Sequence, residues 1–198
     1  MSPADRALLA AAASGDTDAV RAALASGADA ETRDDHRRTP LLLAALADHV
    51  PVARLLVAAG ADPDAQDDRD DSAWLVTGVT GSVPMMRALL PARPDLTLRN
   101  RFGGIALIPA AERGHVAYVR ALLAETDIAV DHVNRLGWTA LLEAVVLGDG
   151  GPAHQEIVAL LLAAGATPGL PDGDGVTALQ HAERRGFTGI AALLRDAR

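Results

Sequence analysis

The sequence contains no cysteine, which removes disulfides, thiolate nucleophiles and cysteine-ligated zinc from its chemistry and leaves the redox compartment open. Aromatic residues make up only 3% of the chain, so any core must be built from aliphatic side chains in thin, closely packed layers. Positive charge is also short: 18 basic residues stand against 26 acidic ones, a formal net charge of −8. That balance opposes phosphate-backbone binding, and nucleic acid is not expected as a partner. No apolar run approaches the ~20 residues of a membrane-spanning helix; a membrane partner is not expected, and the cytoplasm is the expected location. The opening MSPADRALLAAAASGD lacks a basic stretch ahead of its alanines and reads as a helix of the fold rather than a secretory signal. The histidines show no pair at zinc-ligand spacing, and neither a metal nor another cofactor is expected. GDGG at 148–151 has neither the following Lys-Ser or Lys-Thr pair nor the preceding strand of a P-loop.

What the chain does contain is a repeat. The stretch from Thr39 to Asp68 reads as two helices and a turn. Thr39 and Pro40 have the N-cap and first-turn chemistry of a helix start. Leu41, Ala44 and Ala45 form one stripe of a short first helix, and Val52, Leu55 and Leu56 one face of a second. Gly60 ends that second helix. The threonine position recurs at Thr39, Ser72, Ile105, Thr139 and Thr177, and the closing glycine at Gly27, Gly60 and Gly165, with Arg93 and Thr126 in its place in the middle units. One such unit cannot cover its own apolar face, so neighbours must stack to complete a core.

These registers, with TPLLLAA in the second unit, SGADAE in the first and AAGATPG in the fifth, resemble the ankyrin repeat family, and in particular small bacterial ankyrin proteins. The resemblance implies an all-α ankyrin repeat solenoid of about six helix-turn-helix units with capping terminal repeats. The whole chain, 1–198, is then a single domain with repeats near 4–33, 34–66, 67–99, 100–133, 134–171 and 172–198. The third unit departs most, with Trp74 in place of a leucine and Pro91 and Pro94 at the exit of its second helix. In the fourth, Pro109 fits the first turn of a helix starting near Ala106. The fifth carries five extra residues between its helices.

A stack of such units lines up equivalent positions in rows. The row of loop tips brings His36, Arg38, Asp71, Arg101, Phe102, Arg135 and Trp138 to the surface; Trp74, Glu112, Arg113 and Arg185 are the further candidates on or below the row of first helices. Arginine and aromatic side chains are those that binding hot spots favour. Non-enzymatic recognition of a protein partner by a concave groove is the first expectation. The second is a cofactor-free acid–base enzyme acting on a small organic substrate by dehydration, isomerisation, conjugate addition or cyclisation. In that reading Glu143 and His181, at equivalent positions of adjacent units, are the catalytic base and acid, with Arg135 or Arg101 stabilising oxyanion charge. A small organic ligand bound without turnover would use the same groove.

Overall fold

Four of the five recurring hydroxyl positions are helix N-caps. The side chains of Thr39, Ser72, Thr139 and Thr177 accept the backbone N–H three residues on, at Leu42, Leu75, Leu142 and Gln180, which satisfies a donor the helix itself cannot reach. Ile105 is buried and has no hydroxyl, and the helix after it is the shortest, six residues with no side-chain cap. The computed structural model describes residues 1–197 and falls into two compact units, Met1–Arg101 and Phe102–Arg198.

The first unit contains α1 (Pro3–Ser14), α2 (Thr17–Ala25), α3 (Pro40–Leu46), α4 (Val50–Ala58), α5 (Ala73–Thr80) and α6 (Val83–Leu89). The second contains α7 (Leu107–Glu112), α8 (Val116–Glu125), α9 (Ala140–Val146), α10 (Pro152–Ala163), α11 (Ala178–Arg184) and α12 (Thr188–Asp196). Among the described residues β-structure is limited to one isolated bridge, between Pro171 and Thr177. In the first unit α3 packs between α1 and α5, and α4 between α2 and α6; in the second, α9 packs between α7 and α11, and α10 between α8 and α12. First helices thus stack on first helices and second on second.

The apolar stripes meet in these layers. Leu8, Leu41, Leu42, Leu56, Met85 and Met86 are wholly buried in the first unit, and Leu107, Tyr118, Leu122 and Ile157 in the second. Full burial of one such side chain contributes about 1.5–3 kcal/mol, so the stacked layers supply the core that the scarcity of aromatics left to aliphatic residues. Pro109 is the third residue of α7, where its missing N–H removes no helical bond. Arg93 takes a left-handed conformation (φ 53°) after a 3-10 turn at Leu90–Ala92, whereas Thr126 ends α8 in an extended one. The two middle repeats therefore replace the closing glycine by different backbone routes.

Carboxylates join successive repeats. Glu31 accepts the backbone N–H of Asp62, Asp64 that of Asp95, and Asp131 both the N–H and the hydroxyl of Thr167. Several acidic residues of the polar connections are thus joints as well as solvated surface. The extra residues of the fifth repeat are fastened by His154. Its Nε2–H donates to the Glu112 carbonyl at 2.9 Å, and its Nδ1 lies 2.8 Å from Asp149 Oδ1.

Candidate functional site

The loop tips are built on an Asp or Asn five residues before each N-cap. Asp34 Oδ1 accepts from the N–H groups of His36 and Arg38, Asp67 Oδ1 from those of Arg69 and Asp71, Asn134 Oδ1 from those of Leu136 and Trp138, and Asp172 Oδ1 from those of Asp174 and Val176. One side-chain oxygen thereby organises each turn, as Asx residues do. Neighbouring tips are joined by backbone bonds, from Asp68 N–H to His36 O in the first unit and from Arg135 N–H to Phe102 O in the second. Gly137 occupies the left-handed position of its turn (φ 80°), and a Cβ there would come within 3.0 Å of the Gly173 nitrogen on the next tip.

The second unit uses the same residue for a further purpose. Asn134 and Asp172 each reach a side chain nine positions later, on the first helix of the same repeat. Asn134 Nδ2–H donates to Glu143 Oε1 at 2.8 Å, and His181 Nε2–H donates to Asp172 Oδ2 at 2.6 Å. Glu143 is 4% exposed. Burial first, and the Glu112 carboxylate on α7 second, push its carboxyl up to about 7 against the lowering effect of the Asn134 bond. The Asp172 carboxyl is instead held below the usual carboxylate range, by the imidazole hydrogen bond first and the Val176 N–H next.

The structure does not join Glu143 to His181. Each is engaged by its own loop, and no hydrogen bond or ion pair links the two among the described residues. Trp74 is also misplaced by the surface reading: it lies on α5 with 0% exposure, because it fills the leucine position of the first-helix stripe. It therefore cannot touch a partner, and its indole N–H has no hydrogen-bond partner.

The other candidates are at or near the surface. In the first unit His36 lies 3.5 Å from Asp68, Arg38 pairs with Asp34, and Arg101 with Asp71 at 3.4 Å. Burial first, and then the Asp67 charge, raise the Asp71 carboxyl, with Arg101 acting in the opposite sense. In the second unit Phe102 is 53% exposed, Arg113 and Arg135 are exposed, and Glu112 and Trp138 are half-buried. Arg185 donates to the carbonyls of Val145 and Val146 at the end of α9, and its guanidinium lies 4.5 Å from the Phe187 ring centroid. It closes a helix C-terminus, a position that favours a cation.

Two exposed apolar side chains beside Asn134 did not figure among the candidates: Val133 at 49% and Leu136 at 55%. With Phe102 they make the tips of repeats four and five apolar. Asn134 itself was missed as well. Its signal is the Asp or Asn at 34, 67, 100, 134 and 172, five residues before the recurring position at Thr39, Ser72, Ile105, Thr139 and Thr177.

Stacked helix pairs with Asx-closed tips define a class of repeat architecture, and the comparisons identify it. A family model of ankyrin repeats in three copies matches residues 3–67 and 75–172; the chain belongs to the ankyrin repeat family. A crystal structure of an ankyrin repeat domain from Acinetobacter baumannii AYE is 47% identical, covering 96% of each chain with a TM-score of 0.92. The ankyrin repeat domain of Bcl-3, described as a unique member of the IkappaB protein family, is 30% identical over 96% of this chain and 85% of that one, with a TM-score of 0.86. A putative ankyrin repeat protein of Escherichia coli K12, YahD, is 56% identical over 73 residues, 37% of this chain. That match takes in 36% of the relative's length. No helix among the described residues is long and apolar enough to cross a membrane.

Proposed function

We propose that this chain is a protein-binding module that presents its loop tips and first helices, on the groove side of the repeats, to a protein partner. The observation that carries this reading is the exposure of Phe102, Val133 and Leu136 together on two adjacent tips of the second unit. Large apolar side chains held at the surface by a rigid turn, with the exposed Arg135 between them, have the composition of an interface centre. Membership of the ankyrin repeat family, whose stacked units offer extended binding surfaces, supports the same reading. The Asx bonds beneath the tips favour it further, since a tip fixed before binding loses little conformational freedom on association.

The test is a cross-linked capture from a bacterial lysate with the wild type and with a Phe102→Ala/Leu136→Ala variant of equal helicity and melting temperature. At least one protein should be retained by the wild type and lost from the variant, with affinity reduced by about 2 kcal/mol or more. Retention of the same proteins by both forms overturns the reading.

A further inference from the structure

Glu143 is a nearly buried carboxylate with only half of its hydrogen bonding met. Oε1 takes the Asn134 N–H, and no other side chain forms a hydrogen bond or ion pair with Glu143 among the described residues. Oε2 is not sealed: the side-chain polar atoms closed off from solvent without a partner are Asp64 Oδ1 and Trp74 Nε1, both in the first unit. This second oxygen therefore keeps a small contact with solvent. Glu112, on the helix packed against α9, adds a second negative charge and itself has no ion pair among the described residues. A carboxyl almost out of water, with a second negative charge on the neighbouring helix, is one whose ionised form a cation would stabilise.

The next repeat shows how the need is met internally. At the position of Glu143 it has His181, and at that of Asn134 it has Asp172, so the carboxylate and the imidazole that donates to it belong to one repeat. The fifth repeat has the anion alone. Immediately beside Asn134 stand the exposed Val133 and Leu136, with Phe102 on the adjoining tip.

Resting on the protein-binding reading, we infer that the partner inserts an arginine or lysine side chain against Glu143 and Glu112 while an apolar neighbour in the same segment packs on Phe102, Val133 and Leu136. The ligand is a basic–apolar protein segment. A guanidinium suits the site best, because its planar fork can address Oε2 of Glu143 and the Glu112 carboxylate together. The charge of the whole chain favours the same sign of partner.

The probe is a phage-displayed random peptide library selected on the full chain, with the enriched peptides re-measured on Glu143→Gln, Glu112→Gln and Phe102→Ala/Leu136→Ala. Glu143→Gln keeps an oxygen for the Asn134 N–H and removes only the charge, so it folds as the wild type does. Peptides carrying Arg or Lys beside Leu, Ile or Phe should be enriched. Their affinity should fall at least about thirtyfold on Glu143→Gln, and less on Glu112→Gln. Replacing the basic residue of a selected peptide by norleucine should abolish the difference between wild type and Glu143→Gln. Peptides that depend on Phe102 and Leu136 but show no basic enrichment, or bind Glu143→Gln equally well, overturn this inference and leave the protein-binding reading intact. Selected peptides indifferent to the tip variant overturn the protein-binding reading, and this inference with it.

Discussion

The fifth and sixth repeats place a loop residue and a first-helix residue nine positions apart in the same contact, yet the chemistry is reversed. In the sixth, an aspartate on the loop accepts a hydrogen bond from a histidine on the helix at 2.6 Å. In the fifth, the loop supplies the neutral amide of Asn134 and the helix supplies Glu143. The loop turn is unaffected, because either side chain spares one oxygen for the two backbone N–H groups that form it. What changes is the balance of charge. The sixth repeat answers its loop carboxylate with a hydrogen-bonding imidazole, whereas the fifth leaves a carboxyl in a poorly hydrated place, where it is only about half ionised near neutral pH. The comparison teaches that one backbone frame can be satisfied either by a carboxylate and an imidazole or by an amide and a carboxyl, and that the second choice leaves a carboxyl in a poorly hydrated place.

The largest effect should come from removing the loop member of the fifth pair. Asn134→Ala deletes both turn bonds and strips Glu143 of its one donor, so at pH 8 it should destabilise the protein by about 3–5 kcal/mol, measured by urea unfolding. Asp172→Ala, which removes the same two turn bonds but leaves no buried carboxyl without its donor, should lower the urea midpoint less. Equal losses at the two sites would mean that the turns, and not the charges, decide these contacts.

Next in size is the pH dependence of Glu143. Its folded-state value lies near 7 and above the ordinary 4.5, so the native state holds this proton more tightly than the unfolded chain does. The stabilising contribution is complete below pH 4.5 and is lost as pH rises through 7, a change on the order of 2–3 kcal/mol. Glu143→Gln should remove that loss. It should match the wild type near pH 4 and exceed it by about that amount at pH 8, and parallel unfolding curves across this range would show that the carboxylate is not desolvated. The smallest effect should be that of Glu112→Gln, which takes away the neighbouring charge alone. A gain of a few tenths of a kcal/mol at pH 8, with the Glu143 titration followed by NMR moving to lower pH, is expected. An unmoved titration would remove Glu112 from the site.

The amino-acid sequence by itself determined the repeat, the helix starts and the all-α fold, because each depends on local chemistry or on a short period. A hydroxyl before a helix caps it, an apolar stripe has to be buried, and a unit that cannot cover its own stripe must stack. The same reasoning put Pro109 inside the first turn of its helix. Side-chain surroundings needed the tertiary structure. Trp74 resembles a hot-spot residue in sequence and is a core residue in space, because the neighbouring helix layers cover the leucine position it fills. Glu143 and His181 share a position in the repeat, and that equivalence suggested a joint acid–base site. In the folded chain each is claimed first by the Asx residue of its own loop, since a loop nine residues upstream folds back on its helix and reaches it directly. Exposure at Val133 and Leu136 could not be read from residue type either, because an apolar side chain in a loop becomes surface or core only according to which way the Asn134 turn carries it.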